Sequence, residues 1–520
     1  MMGEEQGEVL DMLSRPESHG RGVKDVERVD THISSVFLAG DRAYKLKRAL
    51  KLPFLDFSTL EARHFFCNGE LAVNRVAAPS LYLGVAPVLR RSDGALAIGD
   101  VGDVGNPDAV DWLVVMRRFD QETLFDRMAR RGELTPDLMR DLGGAIARFH
   151  RAAEVRRDRG GSEAFAAIIE GNRKAFQAFV PSVFTASEVE ALTEATLARL
   201  RPVAALLDER REAGKTRRCH GDLHLRNICL LDGAPTLFDA IEFSDAFAFI
   251  DVVYDVSFLL MDLDSRDLRP LANIVFNAYL SSSGDSWALP ALPVFLSVRA
   301  AIRSHVAAAM AAAQPADIPA SVARRLREEA REDYLRALEF LVPSPPRLLA
   351  VGGLSGSGKS RLGRGLAPLL GVAPGALQVR SDAVRKRLLG VDLYQRLEPA
   401  AYARDMSRRT YAAMFDELER ALSAGHSVIA DAVFAAPEER AAVEAMARRL
   451  GVPFDGLWLE ATYEVASERI ASRTHNISDA TEDVLKKQMG YDLGEMSWTR
   501  IDSSGPREAT LEQARRLIGV

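Results

Sequence analysis

Cys219-His220-Gly221-Asp222-Leu223-His224-Leu225-Arg226-Asn227, then Ile228-Cys229-Leu230-Leu231 and Leu237-Phe238-Asp239, is the stretch whose reading decides the fold of the larger part of this chain. It holds an Asp, an Asn five positions later and a second Asp at the end of the next strand-like run. ATP-dependent phosphoryl transfer needs such a set: one carboxylate to orient an attacking hydroxyl, and one amide plus one carboxylate to hold Mg²⁺ on the phosphates. Everything before residue 340 reads as support for that loop.

Upstream, Ser35 to Ala39 and Arg42 to Lys47 flank Gly40-Asp41, a two-residue turn of the kind that closes a β-hairpin, and alternation puts Lys45 and Lys47 on one face. Ser58-Thr59-Leu60-Glu61 has capping-box spacing and opens a predicted helix through Glu70 to about Val76. Tyr82 to Leu89, Ala95 to Ile98 and Trp112 to Met116 read as further strands, while residues 1–30 read as a short helix and lead-in. After Asp120 the pattern turns helical: Leu138 to Ala153, Glu163 to Phe179, Ser187 to Arg211, Val252 to Leu263 and most of Leu289 to Leu341. Asp222 therefore belongs to a loop in a helical lobe beneath a small sheet.

Composition bounds the partners. The 520 residues, 47% of them hydrophobic, can bury more than one core. A formal net charge of −6 gives no global attraction to nucleic acid or to an acidic membrane surface. Cys67, Cys219 and Cys229 fit neither a zinc site nor a disulfide framework and read as reduced core thiols. The acidic start lacks a targeting pattern, and no apolar run is read as a membrane span of ~20 residues, so a cytoplasmic location is expected. His220 and His224 are four apart, but Gly221 between them argues against a helical metal pair and for loop bracing.

The first 340 residues resemble the kinase-fold small-molecule phosphotransferases, the aminoglycoside phosphotransferase and choline kinase group, whose catalytic loop reads H-G-D-x-H/N-x-x-N. The resemblance implies Asp222 as catalytic base, Asn227 and Asp239 as Mg²⁺ ligands, Lys45 on the α/β-phosphates paired with Glu70, and Asp255 bracing the loop. One feature departs from that group. The glycine-rich loop is missing, with Thr31-His32-Ile33-Ser34-Ser35 and the single Gly40 in its place.

Val342-Pro343-Ser344-Pro345-Pro346 cannot continue a helix and marks a predicted domain boundary. Beyond it Arg347 to Val351 is a short apolar strand, followed by Gly353-Leu354-Ser355-Gly356-Ser357-Gly358-Lys359-Ser360 and a helical run. This is G-x-x-x-x-G-K-S in its strand–loop–helix setting, where backbone N–H groups wrap phosphates, Lys359 reaches β/γ and Ser360 binds Mg²⁺. Gln378 to Arg385 reads as a strand ending in a helix start, Ser427 to Asp431 and Gly456 to Leu459 supply further strands, and Asp382 and Asp431 lie at strand ends, where such sheets bind ligands. This part resembles the gluconate kinase, chloramphenicol phosphotransferase and polynucleotide 5′-kinase group. That implies Asp382 as base on the acceptor hydroxyl, Arg385 as a substrate or phosphate contact, Asp431 near Mg²⁺ or substrate, and Arg469 and Arg473 as lid arginines. Asp382 could instead cap a helix, and the two arginines could be a solvated face.

The whole chain looks like bacterial proteins described as bifunctional aminoglycoside phosphotransferase/ATP-binding proteins. The expected fold is mixed α/β and α+β, in two domains. Residues 1–342 form a two-lobed kinase-like domain (small lobe about 1–116, helical lobe about 117–342), and 347–520 a P-loop domain with a doubly wound parallel sheet. The expected activity is an ATP-dependent kinase with two Mg·ATP sites acting on small-molecule hydroxyls. Two alternatives stand beside it: a P-loop kinase regulated by its kinase-like part, or a kinase of nucleic-acid 5′ ends with Arg385-Lys386-Arg387 and Arg408-Arg409 along the strand.

Overall fold

Apolar runs on either side of Gly40 build an antiparallel hairpin in which Val36 faces Lys45 and Ser34 faces Lys47. Gly40 takes a positive φ of 58°, as the first central residue of a tight hairpin turn requires. The structure is a computed structural model that describes residues 4–52, 55–312, 319–472 and 477–520. The hairpin belongs to a six-stranded sheet in the order Val26–Asp30, Ser34–Ala39, Arg42–Lys47, Ala109–Arg117, Tyr82–Arg90, Leu96–Ile98. Its first strand was hidden to pattern reading because four of its five residues are exposed, which leaves no alternation to see. The helix Glu4–Leu13 buries Val9, Leu10, Met12 and Leu13 against one face of the sheet. Against the other lies the helix Leu60–Ala77, whose cap is Thr59, accepting from the Ala62 N–H at 3.1 Å. The predicted capping box is therefore not formed. Ser58 turns instead to Asp56, and the cap moves one residue on.

The helical segments follow as Pro136–Ala152, Gly161–Gln177 and Ala186–Leu200. The last ends short of the predicted Arg211 because Pro202 sits in a 3₁₀ turn, Arg201–Val203, before a separate helix Ala204–Glu212. Ser286–Ala311 is 26 residues long and apolar enough to cross a bilayer by length and composition, which corrects the expectation that no run reaches that size; 67% of its most apolar window is buried inside the fold.

The second sheet is all parallel, in the order Leu377–Arg380, Val428–Asp431, Leu348–Gly353, Phe454–Glu460, Thr499–Asp502. Its fifth strand was missed in the sequence because only Ile501 of its four residues is buried.

By packing, the chain divides into two compact units, residues 1–161 with 208–256, and residues 162–207 with 257–520. The proline-rich break at 342–346 lies inside the second. The helix Arg269–Ser283 bonds across that break: Asn273 donates to the Ala376 carbonyl at 3.1 Å, and Asn277 accepts from the Gln378 N–H at 2.7 Å.

His426 belongs to the same set of ties. It is 1% exposed and donates Nε2–H to the Leu289 carbonyl at 3.0 Å. Burial lowers its pKa to about 4, outweighing that bond. A folded pKa below the unfolded value means a stabilising contribution present above about pH 6.5 and lost as pH falls through about 4, worth up to about 3 kcal/mol. Urea unfolding of the parent and of His426→Gln, which keeps a donor, should therefore diverge less at pH 4.5 than at pH 7. An equal gap at both pH values would contradict the assignment.

Candidate active sites

In the first unit the loop from His220 to Asn227 hangs between two short pairs of strands. Thr216–Arg218 pairs with Phe249–Asp251 before it, and Ile228–Leu231 pairs with Ala234–Leu237 after it. Leu223, Leu225 and Ile228 are fully buried and pin the loop from inside. Asp255, also fully buried, accepts from the His220 N–H at 3.1 Å, the Gly221 N–H at 2.9 Å and His150 Nε2 at 3.0 Å. Gly221 is required: its φ is +81°, and a Cβ there would meet the Phe247 carbonyl oxygen at 2.9 Å. His220 donates Nε2–H to the Phe238 carbonyl at 2.8 Å, which ties the loop to the residue before Asp239. Burial lowers its pKa, in keeping with a neutral ring.

Asp222 is held but open, its side chain 41% exposed. Asn227 donates its amide to the Asp222 backbone carbonyl and to Oδ2, both at 3.0 Å, and His224 Nε2 lies 3.3 Å from Oδ2. Both histidines thus brace the loop. His150, Cys219 and Asp255 also bring three ligand-type atoms within 4.8 Å, but the Asp255 oxygens are already engaged by the bonds above.

The two lysines of the hairpin meet three carboxylates. Lys45 Nζ lies 2.8 Å from Glu70 Oε1 and 2.5 Å from Asp239 Oδ1. Lys47 Nζ lies 2.7 Å from Glu70 Oε2 and also bonds Glu242. Glu70 has no exposed surface; burial pushes its pKa up, but the two ammonium charges outweigh it and hold the carboxyl down at about 2. Lys45 is shifted upward, its burial outweighed by Asp239 and Glu70. Asp239 adopts a left-handed φ of +64°, unusual for a side-chain-bearing residue and an instance of backbone strain at a candidate site. Two residues that sequence reasoning missed hold it there. The Tyr82 hydroxyl accepts the Asp239 N–H at 3.1 Å, and Asn74 Oδ1 accepts the Ala240 N–H at 2.8 Å.

The donor set fits a hard cation. The Asp239 side chain is 44% exposed, and the Asn227 amide nitrogen faces Asp222, leaving its oxygen as the ligand atom. The turn at Thr31–Ser34 differs from a glycine-rich loop. The Thr31 N–H bonds the Ser34 carbonyl at 2.8 Å, and the Ser34 N–H bonds Thr31 Oγ1 at 3.0 Å, so this turn spends those N–H groups on itself.

In the second unit the strand Leu348–Gly353 runs into the glycine loop and the helix Lys359–Leu366. Gly353 (φ +138°) and Gly356 (φ +84°) are needed because a Cβ would lie 2.5 Å from the Leu459 carbonyl and 2.6 Å from the Ala466 carbonyl, respectively. Gly358, at φ +95°, is the residue before the helix, whose N-terminus offers its N–H groups to an anion. Lys359 Nζ donates to the Leu354 carbonyl at 2.9 Å. Ser355 and Ser357 are buried in the loop, and Ser360 is placed by Gln378, which donates to its carbonyl at 3.1 Å and to Asp431 Oδ2 at 2.9 Å. Asp431, 3% exposed, also has Arg380 Nε at 3.5 Å. Ser360 and Asp431 again offer oxygen donors suited to Mg²⁺.

Asp382 stands in the first turn of the helix Ser381–Leu388, but the cap position is Arg380, so Asp382 is not spent as the cap. Its carboxylate lies 3.7 Å from Arg385, whose buried guanidinium stacks 4.5 Å over the Tyr402 ring. Arg469 donates to the Ser503 carbonyl at 2.7 Å and comes within 3.8 Å of the Cβ position of Gly358, beside the glycine loop. Its pKa is lowered by burial and then by Arg507. Arg473 lies outside the described residues. Gln488, with no signal in the sequence, accepts the Ser355 N–H at 2.8 Å. Of the basic run considered for nucleic acid, Lys386 is fully buried on Asp479 and the Leu393 carbonyl, and Arg387 bonds Glu417.

These features define a kinase-like fold followed by a P-loop fold with a parallel sheet, the arrangement of kinase-type phosphotransfer. Comparison with known proteins agrees: residues 70–292 match the model of the phosphotransferase enzyme family, and residues 348–491 match that of an AAA domain. The chain is 28% identical over 503 residues to an uncharacterized protein of Mycobacterium tuberculosis strain H37Rv, covering 94% of each, and equally to one of Mycobacterium bovis. Among solved structures it is similar to a choline/ethanolamine kinase family protein from Mesorhizobium loti (14% identity, 65% of this chain and 99% of that one, TM-score 0.36). It is also similar to a gluconokinase from Sinorhizobium meliloti (22% identity, 33% and 90%, TM-score 0.24).

Proposed function

We propose that this chain is an ATP-dependent kinase with two Mg·ATP sites, one per unit, each passing the γ-phosphoryl group to a hydroxyl of a small molecule. The observation that carries the reading is that each unit has its own complete set: a cation for phosphate (Lys45 or Lys359), oxygen donors for metal (Asn227 with Asp239, or Ser360 with Asp431), and a separate accessible aspartate (Asp222 or Asp382). Bound Mg²⁺ would neutralise phosphate charge and align the γ-phosphorus. The aspartate orients the acceptor hydroxyl and takes its proton as the new P–O bond forms. The bond to the β–γ bridging oxygen breaks, and ADP leaves with the electron pair.

The self-bonded Thr31–Ser34 turn favours one second reading, in which the kinase-like unit binds nucleotide to regulate the P-loop unit. The burial of Lys386 and the pairing of Arg387 speak for small acceptors over nucleic-acid ends. Three cysteines kept as buried thiols support a cytoplasmic location. Calorimetry on the full chain tests the count of sites: two Mg·ATP equivalents are expected, falling to one in Lys359→Ala and to one in Lys45→Met. A single site in the parent would overturn the two-site reading. A labelled-ATP screen of sugars, polyols, aminoglycosides and oligonucleotides on the same variants then assigns an acceptor to each unit.

A further inference from the structure

The five charged groups around Glu70 form a chain of alternating sign: Asp239, Lys45, Glu70, Lys47, Glu242. Three elements supply them. Both lysines come from the strand Arg42–Lys47, Glu70 from the helix Leu60–Ala77, and both end carboxylates from one short segment, three residues apart. Lys47 cannot itself reach a ligand, because it is 1% exposed and its ammonium is enclosed by Glu70, Glu242 and the Phe57 ring at 4.9 Å. Its backbone is held too, with Gln6 donating to its carbonyl at 2.9 Å. Glu242 is almost as enclosed, its side chain 5% exposed.

We propose that Lys47 and Glu242 are positioning residues for nucleotide binding in the kinase-like unit, holding Glu70 and the Asp239 segment so that Lys45 and Asp239 can turn to phosphate and metal. The inference rests on the reading of Lys45 and Asp239 as nucleotide-site groups. In a lone lysine–glutamate pair, drawing the lysine toward phosphate leaves a buried carboxylate short of its counter-charge, which is costly. Here Lys47 keeps one Glu70 oxygen engaged, so the other stays aimed at Lys45 throughout. With Asp239 given over to a metal, the four remaining groups sum to zero charge. Glu242, anchored by Lys47, also fixes the segment that carries Asp239 in its left-handed backbone conformation.

The test is calorimetric titration of the full chain, in a Lys359→Ala background that silences the P-loop site, with the Mg²⁺ complex of the non-hydrolysable β,γ-imido analogue of ATP. The double variant Lys47→Met with Glu242→Gln removes both charges of the pair and leaves Lys45 as the counter-ion of Glu70. It should melt close to the background protein yet bind the analogue about 10–100-fold more weakly, the range usual for loss of supporting partners around a metal site. Lys47→Arg should keep most of the affinity. Background-level affinity in a folded double variant overturns the proposal. Should that variant fail to fold, Glu242→Gln alone, which leaves Lys47 on Glu70, carries the same comparison. Lys45→Met is the control for the underlying reading: undiminished binding there would reject the nucleotide site itself, whereas loss there with full affinity in the double variant rejects only the positioning role.

Discussion

Replacing Asp382 with asparagine is expected to lower phosphoryl transfer at the P-loop site by about 10²–10⁴, with Mg·ATP affinity nearly unchanged, because a positioned general base contributes in that range. That corresponds to roughly 3 to 5 kcal/mol of barrier. On the proposed reading nucleotide grip falls to other groups, the glycine loop with Lys359 and Ser360 at the end of the strand Leu348–Gly353, whereas Asp382 follows the strand Leu377–Arg380. The bland role for Asp382, a helix cap, predicts at most about 1 kcal/mol of lost stability and little change in turnover, since asparagine caps nearly as well. The geometry already weakens that role, because Arg380 occupies the cap position. Turnover and ATP affinity measured on the full chain in a Lys45→Met background, which silences the other site, decide the matter. Near-parent turnover in Asp382→Asn would remove it as the base and leave Asp431 as the next candidate.

In the kinase-like unit the two aspartates should fail in different ways. Asp222→Asn should bind Mg·ATP as the parent does and lose transfer by about 10²–10⁴, since in the proposed role Asp222 only orients and deprotonates the hydroxyl. Asp239→Asn should lose Mg²⁺-dependent binding itself, because its carboxylate is the proposed charged metal donor. The fold should tolerate both. Asp222 is 41% and Asp239 44% exposed at the side chain, and Lys45 keeps Glu70 as counter-ion when Asp239 is neutralised. Binding by calorimetry and transfer by labelled ATP, each in a Lys359→Ala background, separate the roles. Equal loss of binding in the two variants would contradict the division.

The sequence by itself determined what is local. The glycine loop at 353–360 is legible because its chemistry lies within eight consecutive residues and its backbone conformations demand glycine. The loop from His220 to Asn227 is legible for the same reason, its Asp222–Asn227 bond spanning five positions. Alternation also put Lys45 and Lys47 on one face, without saying which of them meets Asp239. The tertiary structure decided everything that depends on contacts distant along the chain. Lys45 reaches Asp239 across 194 positions and Lys47 reaches Glu242 across 195. Asn74, Tyr82, Gln378 and Gln488 become supports of the sites only because folding brings their amides and hydroxyl against particular backbone or carboxylate groups. The division into units is of the same kind. A proline-rich break stops a helix locally, but bonds that cross it, such as those of Asn273 and Asn277 to residues about a hundred positions on, are encoded by no periodicity along the chain.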